Sequence, residues 1–308
     1  MFNVQKANIK VDQFLSALAV KYENAEFVGN DLFPEYKVAK ESDKYRIFKK
    51  DGWFTGAPKK ADGAITEEAT LSYDEGSYTT YERAIKDIVT DRAMQNADAP
   101  VRPKIDTTNF LTEKIQLSQE LDQWILANST SGLNQSGYRT ILTAVTAWVD
   151  GTAPDILGDL STAIKALSKA IGRRPNRLYF TTEVAEAVAL DDKIVEIMKL
   201  RTADMVTGNG LPPVLRGMQV KLVDALYNTS DPGLTEAYDY IMSDNVVCAW
   251  VEPGHPLTFG RTFLAKAFQV KRWYDADREG EFVKLNKVYA PKIMSLSSGW
   301  IFTNAKNG

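Results

Sequence analysis

The stretch RRPNRLYFTTEVAEAVALDDKIVEIMK, residues 173–199, has the order of a strand, a polar turn and a helix. Nucleotide-binding enzymes hold phosphate at such junctions, where glycines let the backbone approach and helix N–H groups face the anion. Here the turn reads FTTEVAE. It contains no glycine, and Glu183 and Glu186 stand where an anion would bind. A capped helix packed on a sheet accounts for the pattern better than a cofactor site does. TGNGLPP, residues 207–213, is the other glycine-rich candidate. It lacks a third glycine, and Pro212 and Pro213 block a helix close behind it, so a surface loop is expected.

His255 is the only histidine and Cys248 the only cysteine. A histidine-rich metal site is thereby excluded, and a Ser/His/Asp triad would have to use His255, which lies in EPGHP between two prolines. A turn or interface role suits it better than that of a base. Cys248 lies in the apolar run NVVCAWV, where a buried inert thiol is expected. Carboxylate pairs (Glu67 with Glu68, Asp191 with Asp192, Glu279 with Glu281) fall on polar faces or turns and read as solvated charge. Lys59 with Lys60 and Arg173 with Arg174 are far apart in the chain, extend into no stripe that could follow a phosphate backbone, and read as solvated loop charge. The residues supply no catalytic set, no metal site and no cofactor site.

The chain has 308 residues, 44% of them apolar and 25% charged, with a net charge of −3. This is the composition of a soluble globular protein with a substantial core. The near-neutral balance argues against a dedicated nucleic-acid or anionic-membrane binder. The beginning of the sequence, MFNVQKANIKVDQ, carries no apolar segment of signal-peptide length. No apolar run approaches the roughly 18 residues of a membrane span. One cysteine allows no internal disulfide, and an intracellular origin is the default expectation.

Phe14, Leu15 and Leu18 suggest a short amphipathic helix within residues 1–40, which otherwise read as an arm. DKYRIFKK and SYTTYERAIKDIV are strand-like and flank the polar excursion DGWFTGAPKKADGAITEEATLSYDEG. Excursions of that length within a compact domain are usually functional, and an extended hairpin reaching another subunit would explain this one. Asp106, Thr107 or Thr108 would cap a helix of roughly 20 residues, about 30 Å long. Its apolar stripe comprises Phe110, Leu111, Ile115, Leu121, Trp124 and Ile125. Residues 134–158 read as a polar loop. Ile156, Leu160, Ile164, Leu167 and Ile171 define a second helix ending at Gly172. NRLYFT is a buried strand, and Thr181 or Thr182 would cap the helix EVAEAVALDDKIVEIMK. MQVKLVDA is a further strand, DYIMSDNVVCAWVEP a strand pair, and residues from 258 onward read as strands.

This ordered set resembles the major capsid (head) protein of tailed double-stranded-DNA bacteriophages. The likeness is carried by RRPNRLYFTTEVAEAVALDDKIVEIMK, GLPPVLRGMQVKLVDALYN, YIMSDNVVCAWVEP, TFGRTFLAKAFQVKRWYDAD and SSGWIFTNA. It implies an α+β fold with an N-terminal arm (1–40), an extended loop with flanking strands (41–92), and a peripheral domain with a spine helix (93–154). An axial domain (155–255) and return strands of the peripheral domain (256–308) would complete it. It further implies a non-enzymatic shell protein with no cofactor, assembling with itself as hexamers and pentamers into an icosahedral head around DNA. Scaffolding, portal and decoration proteins are the implied further partners, with no membrane; the virion is its implied location, after assembly in the host cytoplasm. Trp53, Phe54, Lys59 and Lys60 on the excursion are the expected intersubunit contacts, since exposed aromatics on a polar hairpin suggest a partner surface. The alternatives are an encapsulin-type nanocompartment shell, a tail or portal component, and a nucleotide-dependent enzyme using residues 173–199. The long charged helical extension of some relatives is absent from this sequence, and no asparagine and acid match the loop lysines for the covalent links other relatives form.

Overall fold

A computed structural model describes residues 10–11, 27–48, 57, 59–63, 65–66, 68, 73–97, 101–199, 211–230 and 234–306. The expected helix at Phe14–Leu18 therefore lies outside the described residues.

Two sheets organise these residues. In the first, strands β1 (Lys10–Val11), β2 (Glu35–Lys37) and β5 (Tyr81–Thr90) flank a long hairpin made by β13 (Gly260–Asp275) and β14 (Gly280–Ile293). β14 pairs antiparallel with β5 along Tyr81–Thr90, while β13 takes β2 in parallel at Thr262–Leu264 and β1 at Lys271–Arg272. The expectation of strands beyond residue 258 holds. Among the described residues β3 (Ser42–Phe48) and β4 (Tyr73–Thr79) pair only with each other, as a separate ribbon.

The second sheet has six strands. These are β6 (Arg139–Ile141), β15 (Gly299–Thr303), β12 (Val246–Ala249), β7 (Arg177–Phe180), β9 (Met218–Leu222) and β8 (Val214–Leu215), in that spatial order. Its central strands are buried on both faces, which is why NRLYF and NVVCAWV read as continuous apolar runs rather than alternating ones. Successive side chains still part to opposite faces. Leu178, Phe180, Val246, Cys248 and Phe302 join a core with helix α4 (Ile156–Ile171) and helix α5 (Thr182–Leu190). Tyr179, Val247, Ala249 and Ile301 face the other way, toward Trp124.

Trp124 belongs to helix α3 (Pro103–Asn128), 26 residues long and so about 39 Å. The helix starts one turn earlier than the sequence suggested. Pro103 sits in its first turn, where a missing N–H costs nothing, and Asp106 reaches back to accept the Arg102 N–H at 3.0 Å. Asp106, Thr107 and Thr108 are therefore inside the helix rather than capping it. Leu111 and Ile115 pack with Val270, Val283 and Leu285 of the first sheet, and Trp124 and Ala127 with the second core. The apolar stripe needs correction: Phe110 is 50% and Ile125 62% exposed, while Gln119, Glu120 and Gln123 are buried.

α4 carries all five of its expected core residues inward and ends at Gly172, whose φ of 69° is the left-handed conformation of a C-cap. The helix expected over 183–199 is two helices, α5 and α6 (Asp192–Lys199), broken at Asp191, whose carboxylate accepts the Ile194 N–H at 3.0 Å and starts α6. β7 and β9 pair in parallel around them, a βαβ unit. The strand pair expected in DYIMSDNVVCAWVEP does not form. β11 (Tyr238–Tyr240) pairs with β10 (Leu226–Asn228), whereas β12 lies between β7 and β15. The polar loop 134–158 holds β6 and the buried Leu142, Ala147 and Trp148, with the Trp148 indole donating to Asp159 at 2.9 Å.

Candidate assembly surfaces

The residues that could have carried chemistry serve the fold. The N-terminus of α5 receives a side chain from this same chain: Asp224 accepts the Thr182 N–H at 2.8 Å and the Thr182 hydroxyl at 2.7 Å. Thr181 occupies the expected N-cap position and its carbonyl accepts the Ala185 N–H at 2.9 Å, but its side chain makes no capping bond. Glu183 pairs with Lys306 at 2.7 Å. His255 Nδ1 accepts the Leu257 N–H at 3.1 Å, and its ring meets Trp250 edge-on at 4.8 Å. Burial, then the Arg173 guanidinium, holds the imidazole below its ordinary pKa. Cys248 is fully buried in β12, and burial pushes its thiol up. Glu281 pairs with Lys104 at 2.7 Å and Arg272 at 3.5 Å. Glu67 and residues 207–210 lie outside the described residues. Among the described residues no group of three or more His, Cys, Asp or Glu is placed to hold a metal ion, and no helix is long and apolar enough to cross a membrane.

The densest polar structure is a junction where residues 28–37 cross α3 to reach both sheets. Glu120 accepts the Val28 N–H at 3.0 Å, the Gly29 N–H at 2.8 Å and the Trp124 indole at 2.7 Å. Burial raises the pKa of its carboxyl against the pull of these donors. A Cβ on Gly29 would stand 2.2 Å from Gln123 Oε1 and 2.7 Å from Glu120 Oε2, so a larger residue would push both side chains aside. Asn30 accepts from Gln119 at 2.6 Å and Gln123 at 3.0 Å. Asp31 pairs with Arg177 at 2.9 Å and accepts the Tyr179 hydroxyl at 3.0 Å, tying the segment to the six-stranded sheet. Glu35 pairs with the buried Lys287 at 2.6 Å, and Lys287 donates to Gln119 at 2.6 Å, tying it to the other sheet.

This junction leads straight into the β3–β4 ribbon. The root of the ribbon is firm: Tyr78 stacks on Phe263 of β13 with ring centroids 4.3 Å apart, and Thr80 donates its N–H to Glu41 O at 2.8 Å. Beyond the root the ribbon is exposed, held by Lys44–Glu75 at 2.7 Å and by Arg46 over the Tyr73 ring at 4.6 Å. Such a two-stranded ribbon is marginal by itself in water. Of the expected contact residues, Lys59 and Lys60 are exposed, and Trp53 and Phe54 lie outside the described residues. Sequence reading missed a second exposed apolar surface, in which Phe110 and Leu226, with Phe27 and Leu117, line a groove beside α3. The exposed half of an otherwise good helical stripe was its only signal.

No family model matches the chain. The major capsid protein of Burkholderia phage BcepMu is 24% identical over 307 residues, covering 95% of this chain and 96% of that protein. The crystal structure of a phage-related protein from Bordetella bronchiseptica superposes with a TM-score of 0.74 at 20% identity, covering 96% of this chain and 97% of that one. The capsid of cyanophage P-SCSP1u gives a TM-score of 0.62 at 9% identity over 92% of this chain and 89% of that one. With its hairpin sheet, long helix, six-stranded sheet and projecting ribbon, this chain has the fold of the tailed-phage major capsid proteins.

Proposed function

We propose that this chain is the major capsid protein of a phage head, assembling as hexamers and pentamers into an icosahedral shell around double-stranded DNA. The observation that carries the reading is the β3–β4 ribbon, rooted on Phe263 and then exposed on both sides, on a chain 24% identical to a capsid protein over 95% of its length. A ribbon of this kind needs cover, and a neighbouring copy in a closed shell supplies it. In this reading residues 1–40 are the arm and 41–92 the extended loop. Residues 93–154 hold the spine helix α3, 155–255 form the axial domain, and 256–308 return to the peripheral domain. Trp53, Phe54, Lys59 and Lys60 meet the adjacent subunit. Scaffolding, portal and decoration proteins act as further partners, and the mature protein resides in the virion after assembly in the host cytoplasm.

Electron microscopy of the purified protein tests this. Closed shells with hexameric and pentameric units are expected; a monodisperse small oligomer under every salt and scaffold condition would overturn the reading. Nucleic acid inside isolated particles separates a phage head from a nanocompartment, which would hold enzyme cargo.

A further inference from the structure

The linear sequence shows Arg173 and Arg174 as an isolated pair, but the fold continues them. Lys165 and Lys169 lie one helical turn apart on the exposed face of α4, and Arg173 and Arg174 follow immediately beyond its Gly172 cap. At the other end Arg216 of the β8–β9 turn donates to Ser161. Five exposed cations thus line a path of about 17 Å, from Ser161 to Gly172 at 1.5 Å per residue. Among the described residues none of the five is ion-paired with a carboxylate. The acids near α4 are engaged elsewhere: Asp155 with Lys193 at 2.8 Å and Asp159 with the Trp148 indole. Arg173 lies over Trp250 at 5.0 Å, which fixes that end. On a chain of net charge −3 this is a pronounced local asymmetry.

Resting on the capsid reading, we infer that this face of α4 is where the shell protein touches packaged nucleic acid, through the phosphate backbone and without sequence preference. The other residues on the face are Gly158, Ser161 and Thr162. A protein partner would require an apolar or aromatic centre to bury, and the exposed face of α4 offers none. Double-stranded DNA offers one charge per roughly 1.7 Å of axis. Lysines spaced about 6 Å apart meet such a line in any register, which suits a contact that must tolerate every sequence.

The test is fluorescence anisotropy of a labelled 30-bp duplex with the full-length chain, kept unassembled, at salt concentrations from 50 to 200 mM. About five neutralised phosphates give a log–log salt slope near −4.5, or roughly 500-fold weaker binding across that range. The variant K165Q/K169Q/R173Q/R174Q should bring the slope to about −1, and K165Q or K169Q alone should each reduce it by about 0.9. A K37Q/K292Q control should leave it unchanged. An unchanged slope in the four-site variant, with wild-type melting, would overturn the inference. So would displacement of the duplex by poly-glutamate as effectively as by unlabelled DNA of equal charge, which would point to an acidic protein partner. Shell formation is scored separately by microscopy: absent shells would count against the capsid reading and leave the slope comparison intact.

Discussion

Both carboxylate oxygens of Glu120 accept the backbone N–H of Gly29, each at 2.8 Å, although the two residues are 91 positions apart. A buried acid thus holds a chain segment by its backbone. Glu120→Ala leaves two backbone donors and the Trp124 indole buried without acceptors, and should cost about 3 kcal/mol of subunit stability. The urea midpoint of the unassembled chain measures it. A shift equivalent to less than about 0.5 kcal/mol would show that water replaces the carboxylate.

Lys287 is nearly enclosed, with 5% of its side chain exposed, between Glu35 and Gln119. Lys287→Met should destabilise by about 2 kcal/mol, because the buried Gln119 Oε1 loses its donor and Glu35, which is partly solvated, loses its cation. Adding Glu35→Gln should recover the part due to the lost cation. Equal instability of the single and double variants in a thermal melt would refute the pairing as the cause.

Burial raises the pKa of Asp159 in α4. An acid that holds its proton more firmly when folded loses stability by ionising. The loss begins as pH rises above the ordinary carboxylate value and is complete above the raised one. Asp159→Asn keeps an acceptor for Trp148 and removes the ionisation. The stability difference should therefore shift in favour of the variant as pH rises through that window and stay level above it. Denaturation curves at several pH values decide the matter; a difference that is flat throughout would contradict a raised pKa.

Deleting residues 55–70 removes the distal part of the excursion while sparing the Tyr78–Phe263 root. The subunit should fold with wild-type circular dichroism yet fail to form closed shells. Normal shells from the deletion would sink the assignment of the ribbon to intersubunit contact.

The sequence was readable where one element meets one core. α4 packs a single face, so its five apolar positions and its Gly172 stop were all legible. α3 meets two cores and a polar junction, so buried Gln119, Glu120 and Gln123 looked like a solvent face and exposed Phe110 looked like core. Strand β12 was recognisable, but its neighbours were not: a run apolar on both faces carries no register, and Cys248 pairs with Leu178, 70 residues before it, and with Trp300, 52 residues after it.

 Such separations are well beyond what local pattern can reveal. The basic face of α4 was hidden for a related reason: Lys165, Lys169 and Arg173 are neighbours only after the chain has coiled.

α3 contributes Leu111 and Ile115 to one core and Trp124 and Ala127 to the other. Mechanically it is a strut shared by two bodies. Tilting one sheet against the other would bend a helix of seven turns or open a close-packed interior, and either is costly. The stiffness of the chain is therefore concentrated along this axis and its compliance in the β3–β4 ribbon. In the proposed shell, curvature would change by rotating whole subunits and flexing their ribbons, with the interior of each subunit carried along unchanged.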